Sequence, residues 1–174
     1  MKGSRLQVGI ILGSASDLEL AKKAGEIFES FGINYETGIA SAHRTPEDAA
    51  RYARRAASRG IKVIIAVAGL SAALPGVIAA HTVLPVIGVP SSGGPLNGVD
   101  ALLSIAQMPP GVPTASVGID GAKNAALMAV RILSLLDGEI SSKLEKWVEN
   151  AAAEVRKSRE KITIPKVPDD VYME

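Results

Sequence analysis

Three short stretches, residues 6–12, 63–68 and 86–89, are almost wholly apolar and dominated by Val, Ile, Leu and Ala. Only Gln7 and Gly9 interrupt the first. Such runs lack the polar alternation of a strand with one wet face. They read as strands buried on both faces of a parallel sheet. Neighbouring parallel strands must be joined by crossovers, usually helices. The sequence supplies them: each run leads through a cluster of Gly, Ser or Pro into a segment of helical spacing.

In chain order, the strand at 6–12 runs into Gly13-Ser14-Ala15-Ser16-Asp17. Ser16 with Glu19 has the spacing of a capping box and predicts a helix start. Ala24, Ile27, Phe28 and Phe31 form its apolar stripe, and Gly32 is placed to end it. A second strand is expected over 34–39. Ser41-Ala42-His43-Arg44-Thr45-Pro46 follows, with Thr45 as N-cap, Pro46 at the first helical position and Asp48 as the acidic capping partner. That helix runs to about 58 and stops at Gly60. Its Arg51, Arg54, Arg55 and Arg59 share one side, which reads as a solvated or subunit-contacting face. The strand at 63–68 ends in a small-residue loop, 69–76, and a short helix closing at His81, where the helix dipole would favour a protonated ring. The strand at 86–89, a helix over 99–106, a proline-rich spacer or pocket wall at 107–113, a fifth strand at 114–118 and a helix over 122–136 complete the alternation. Strand–helix alternation predicts a three-layer αβα domain. It has a flavodoxin-like parallel sheet of order 2-1-3-4-5 and right-handed crossovers. An additional amphipathic helix at 139–161 carries Ile140, Leu144, Trp147, Val148, Ala151 and Val155 on one face, and a tail occupies 162–174. The whole of 1–174 reads as a single domain with one core. The apolar face of the last helix has no evident place in a five-stranded core, and it fits equally a packing on its own domain or an oligomerisation contact with a neighbouring subunit.

Composition narrows the chemistry. The chain has 174 residues, a formal net charge of +1 and no cysteine. The charge gives no electrostatic case for nucleic acid or an acidic membrane. Disulfides, thiolate catalysis and Cys-based metal sites are excluded, and two distant histidines make a poor metal set. No signal peptide or apolar run long enough to span a membrane is evident, so a cytoplasmic location is expected.

In a doubly wound sheet ligands bind beyond the carboxyl ends of the strands. Those ends carry Gly13-Ser14, Ser41-Ala42-His43-Arg44, the 69–76 loop and Ser91-Ser92-Gly93-Gly94. Taken singly each is a loop of common composition. Their shared position, with an imidazole and a guanidinium adjacent at a helix start, suits a phosphorylated substrate that needs a proton moved. Phosphate belongs near Ser14 or Arg44. Asp17 would repel phosphate and is better matched to sugar hydroxyls. The first loop is neither a Walker loop nor a dinucleotide fingerprint.

Five ordered motifs then resemble one family. They are Gly13-Ser14-Ala15-Ser16-Asp17, Ser41-Ala42-His43-Arg44-Thr45-Pro46, Leu74-Pro75-Gly76, Gly98-Val99-Asp100-Ala101-Leu102 and Gln107-Met108-Pro109-Pro110-Gly111-Val112-Pro113. The sequence resembles N5-carboxyaminoimidazole ribonucleotide mutase of purine biosynthesis and its relative aminoimidazole ribonucleotide carboxylase, over about residues 8–136. The resemblance implies His43 as the catalytic proton-transfer residue. It implies a substrate site built from Gly13, Ser14, Ser16, Asp17, Ser41, Ala42, Arg44, Gly69, Leu70, Ser71, Ala72 and Leu74. It also implies a homo-octamer of flavodoxin-like subunits with C-terminal helices packed on neighbours, and no cofactor. In one place the sequence departs from the pattern. Bacterial mutases usually carry His before the Leu-Pro-Gly, and Ala73 stands here. Ser71 is similar to the animal-type carboxylases, whereas 102–113 is similar to the mutases. Mutase action in purine (IMP) biosynthesis is the expectation, with direct use of CO2 by a carboxylase as the alternative. A non-catalytic nucleotide- or flavin-binding module is the alternative from another class, and flavin binding would favour Phe, Tyr or Trp in the strand-end loops, which contain none; a purely structural oligomer would leave His43-Arg44 without a role.

Overall fold

The structure, a computed structural model, describes residues 7–172. The polar leader, Leu6 and the last two residues of the tail lie outside the described residues.

The elements run β1 (Val8–Leu12), α1 (Leu18–Phe31), β2 (Tyr35–Ile39), α2 (Pro46–Ala56), β3 (Val63–Ala68), α3 (Leu74–Ala79), β4 (Val86–Pro90), α4 (Val99–Ala106), β5 (Ala115–Ser116), α5 (Ala122–Ser134) and α6 (Gly138–Ser158). The sheet has the order β2-β1-β3-β4-β5, and every pairing is parallel. Val8 lies opposite Tyr35 on one side and Val63 on the other, and Ile64 lies opposite Val86. The expected order is therefore the observed one.

Side chains alternate across a strand, so each central strand feeds two cores. Val8, Ile10 and Leu12 of β1 and Val63, Ile65 and Val67 of β3 face α1, α5 and the start of α6. Ile11, Ile64, Ala66 and Ala68 face α2, α3 and α4. Both faces are dry, which is why these strands carry no polar alternation. The helices contribute alanine stripes: Ala49, Ala53 and Ala56 on α2, and Ala122, Ala125, Ala126 and Ala129 on α5. Small side chains let helix and sheet backbones approach closely. Gly88 of β4 shows how closely: a Cβ there would stand 2.4 Å from Ile105 of α4. Phe28, wholly buried, fills the remaining space on the α1 side, a contribution of about 1.5–3 kcal/mol for a side chain of this kind.

The helix starts differ from the sequence reading in informative ways. The Ser16–Glu19 capping box does not form. A single 3-10 turn at Ala15–Asp17 precedes α1, capped by Ser14, whose hydroxyl accepts from the Ser16 N–H at 3.4 Å. Asp17 at the α1 N-cap makes no capping bond, because its carboxylate is turned toward Ser91. Pro46 does open α2, but Thr45 does not cap it with its side chain. The Thr45 hydroxyl instead accepts from the Ser41 N–H at 2.9 Å and donates to the Ser41 carbonyl at 3.3 Å, closing the preceding turn. Gly32, in the left-handed region at φ 72°, ends α1 as expected.

β5 has two residues rather than five, and α5 ends at Ser134. His81 lies beyond α3. Its Nδ1 is 3.4 Å from Nη1 of Arg54. Arg51, Arg55 and Arg59 are exposed; Arg51 of α2 lies 3.9 Å from Asp48, and Arg59, in the 3-10 turn after α2, pairs with Glu36. Glu36 also accepts from the Tyr52 hydroxyl at 2.9 Å. Burial and that neighbouring carboxylate hold the phenol protonated well above its usual range.

The final helix has an intrachain home for its first two turns. Asp137, not foreseen as a cap, accepts from the Glu139 and Ile140 N–H groups, and Ile140 and Leu144 bury against α5 and α1. Lys143 donates to the Phe31 carbonyl at 3.0 Å, a cation at the negative end of α1. Farther along, Trp147, Val148 and Val155 are exposed.

Candidate active site

The loops after β1, β2, β3 and β4 meet around one cavity of about 750 Å³. It is lined by Gly13, Ser14, Ser16 and Asp17, by Ser41, Ala42, His43 and Arg44, by the segment from Ala68 to Leu74, and by Ser91, Ser92, Gly93 and Gly94. Every site residue expected from the sequence lies in this lining. Ala72 and Leu74 are 2% and 1% exposed, so they form its packed floor.

The 41–45 turn is braced by its own polar groups. Besides the Thr45 hydroxyl bonds, the Thr45 N–H donates to the Ser41 carbonyl at 2.9 Å. The Arg44 N–H donates to the Ser41 hydroxyl at 3.2 Å. His43 stands exposed within this closed turn, and its ring makes no hydrogen bond among the described residues. The imidazole is thus carried on a fixed backbone with both nitrogens available. Arg44 reaches back across the cavity edge. Its Nη2 donates to the Gly13 carbonyl at 3.3 Å and its Nε to the Ser41 hydroxyl at 3.5 Å. The guanidinium therefore ties the second loop to the first and stands beside the Ser14 hydroxyl loop. Its remaining N–H donors fit a planar array of phosphate oxygens.

Asp17 is the buried charged residue of the described chain, at 5% exposure. The Ser91 hydroxyl donates to its Oδ1 at 2.8 Å. A carboxylate buried so deeply needs a hydrogen-bond partner, and Ser91 supplies one. The second oxygen can accept from a sugar hydroxyl.

The loop after β4 is the part the sequence reading left out of the residue set. It is held by Asp120, at φ 56°, whose Oδ1 accepts from the Ser92 N–H at 2.8 Å while its own N–H donates to the Pro90 carbonyl at 2.8 Å. Gly98, at φ 88°, leaves no room for a Cβ, which would lie 2.8 Å from Ile119. Ser91 pairs with a residue 74 positions away, so local spacing carries no trace of the contact. The segment 107–113 does not line the cavity in the protomer, against the pocket-wall reading. It packs behind α3, where Met108 covers Gly76.

The arrangement joins a proton carrier, a phosphate-type donor, a hydroxyl acceptor and a small-residue wall. The profile of the AIR carboxylase family matches residues 7–154. The chain belongs to that family. It is 59% identical over 144 residues to the N5-carboxyaminoimidazole ribonucleotide mutase of Pyrococcus abyssi, covering 83% of each chain. It is 50% identical over 155 residues to the phosphoribosylaminoimidazole carboxylase of Schizosaccharomyces pombe, with 89% of this chain aligned to 28% of that protein. The crystal structure of Treponema denticola PurE superposes with a TM-score of 0.82 at 33% identity, over 92% of this chain and all of that one, 100%.

Proposed function

We propose that the chain is an N5-carboxyaminoimidazole ribonucleotide mutase, moving the carboxylate from N5 to C4 of the imidazole in purine biosynthesis. The observation that carries the reading is the unbonded His43 ring, held on a braced turn at the same cavity as Arg44, Ser14 and Asp17. The name of the Pyrococcus abyssi relative supports it.

The chemistry assigns His43 two tasks. The N5 carbamate C–N bond breaks, CO2 leaves, and the nitrogen takes a proton from the imidazolium. C4 then attacks the retained CO2, and the neutral imidazole removes the C4 proton. The acid is regenerated and the net proton count is unchanged. Arg44 and Ser14 hold the phosphate, and Asp17 accepts from the ribose. The wall from Gly69 to Leu74 encloses the carboxylate with backbone donors and excludes water.

Direct carboxylation of aminoimidazole ribonucleotide is the second reading. Ala73 favours it, since no second imidazole stands in the cavity lining, as does the name of the fungal relative. The two readings are separated by supplying N5-carboxyaminoimidazole ribonucleotide in one assay and aminoimidazole ribonucleotide with saturating bicarbonate, without ATP, in another. The mutase forms the C4-carboxylated product faster from the first; faster formation from the second assigns the carboxylase. A flavin-binding module is disfavoured by the lining, which contains no Phe, Tyr or Trp ring for the isoalloxazine to stack on.

The working form is a cytoplasmic homo-octamer. Two apolar faces on the protomer support assembly. Leu96, Val99 and Leu103 are exposed at α4, and Trp147, Val148 and Val155 at α6. Light scattering should give eight times the 18.0 kDa protomer mass, and the double variant Trp147→Ser/Val148→Ser should give a smaller particle. An unchanged mass would remove α6 from the interface.

A further inference from the structure

Leu70 is the one large side chain between Gly69 and Ala73, a wall otherwise made of Gly, Ser and Ala. It is 54% exposed at the cavity. Its backbone sits at φ 54°, in the left-handed region. A branched L residue is strained there, and glycine would not be. The surroundings enforce that conformation. The Leu70 carbonyl accepts from the Ala72 N–H at 2.8 Å, and the preceding Gly69 passes so close to the β4 loop that a Cβ would lie 3.3 Å from the Ser91 carbonyl.

The side chain leans toward that facing loop. A Cβ built on Gly94 would stand 2.6 Å from Leu70 Cδ2. The isobutyl group therefore spans from the β3 loop to the β4 loop, and Gly94 is the residue that leaves room for it. An exposed, strained leucine contributes nothing to the hydrophobic core. Strain of this kind persists where the surrounding structure holds it, and it is concentrated at functional sites.

We propose that Leu70 is a retention residue: its side chain covers the reacting imidazole and keeps the released CO2 from solvent. This rests on the mutase reading of the cavity. CO2 is uncharged and is not held by the donors that bind a carboxylate. Confinement needs an apolar cover on the solvent side, and the apolar groups Ala72 and Leu74 are buried in the floor while Gly69 and Ser71 offer only backbone and hydroxyl groups. Leu70 supplies that cover at the rim, where Ala72 and Leu74 lie beneath it in the floor.

The test replaces Leu70 by Gly, which removes both side chain and strain, and by Asn, which tolerates the left-handed region but is polar. Each protein is given N5-carboxyaminoimidazole ribonucleotide in carbon-13 bicarbonate, with carbonic anhydrase keeping CO2 and bicarbonate at equilibrium. The wild type should place little label in the product. Both variants should raise the labelled fraction roughly threefold or more and accumulate free aminoimidazole ribonucleotide, while the melting temperature of Leu70→Gly stays level or rises. A merely structural leucine would lower stability or turnover without moving this partition. Wild-type labelling in both variants would overturn the proposal and leave the mutase reading standing. Full exchange of label in the wild type would overturn it as well. A wild type that forms no product from this substrate would instead remove the reading beneath it.

Discussion

Replacing His43 with Asn should leave a folded protein that binds the ribonucleotide and hardly turns it over. The expected loss is roughly a hundred- to ten-thousand-fold, the usual range for removing a positioned acid or base. The fold should survive because His43 holds nothing in place. The turn around it is closed by Ser41, Thr45 and the Arg44 N–H, none of which touches the imidazole. Binding should survive because the phosphate and ribose contacts are assigned to other side chains. Asn keeps one donor and one acceptor but cannot carry the proton between the exocyclic nitrogen and C4. Both half-reactions depend on the same ring, so exchange of the C4 proton of aminoimidazole ribonucleotide with solvent should fall along with product formation. That exchange can be followed by NMR. Near-normal turnover by a variant with wild-type melting behaviour would transfer the proton steps to another group.

Much of this site was legible because its parts lie at the ends of strongly marked elements. Apolar runs such as 63–68 can only be buried strands, and a parallel sheet places their carboxyl ends on one edge. His43 and Arg44 were therefore located as soon as the strand before them was. What stayed hidden was long-range polar pairing. The Asp17–Ser91 bond joins loops on β1 and β4, and the Ser92–Asp120 bond joins loops around β5. Neither leaves a periodic signal, and Ser and Asp also suit ordinary turns.

The capping errors share that cause. Ser16-x-x-Glu19 and Thr45-x-x-Asp48 have the spacing of caps, yet the decisive groups were drawn elsewhere: Asp17 toward Ser91, and the Thr45 hydroxyl toward Ser41. At both places tertiary demands of the cavity outweighed a local motif. The amphipathic stripe of α6 was recognised but not its division. Ile140 and Leu144 belong to the protomer core, while Trp147 and Val155 are exposed. Helical periodicity reports that a face is apolar, not which neighbour covers it.

Arg44→Ala should weaken ribonucleotide binding by about 1.5–3 kcal/mol, the range for a hydrogen bond to a charged group. That corresponds to roughly a 10- to 150-fold higher dissociation constant, measurable by calorimetry. The geometry adds a second way for the same substitution to act. Arg44 bridges to the Gly13 carbonyl and the Ser41 hydroxyl, so its loss also loosens the alignment of the first two loops. The two effects separate by ligand. A direct phosphate contact predicts that the ribonucleotide loses affinity while the corresponding nucleoside, lacking the phosphate, binds as weakly to the variant as to the wild type. It also predicts a smaller salt dependence in the variant, because one cation facing the phosphate is gone. A bridging role alone predicts equal losses for nucleotide and nucleoside. Arg44→Lys sharpens the distinction. The ammonium keeps the charge but cannot span Gly13, Ser41 and a phosphate together, so it should recover part of the nucleotide affinity. Equal losses for both ligands, with no recovery in Arg44→Lys, would place the phosphate elsewhere, at the Ser14 loop without the guanidinium.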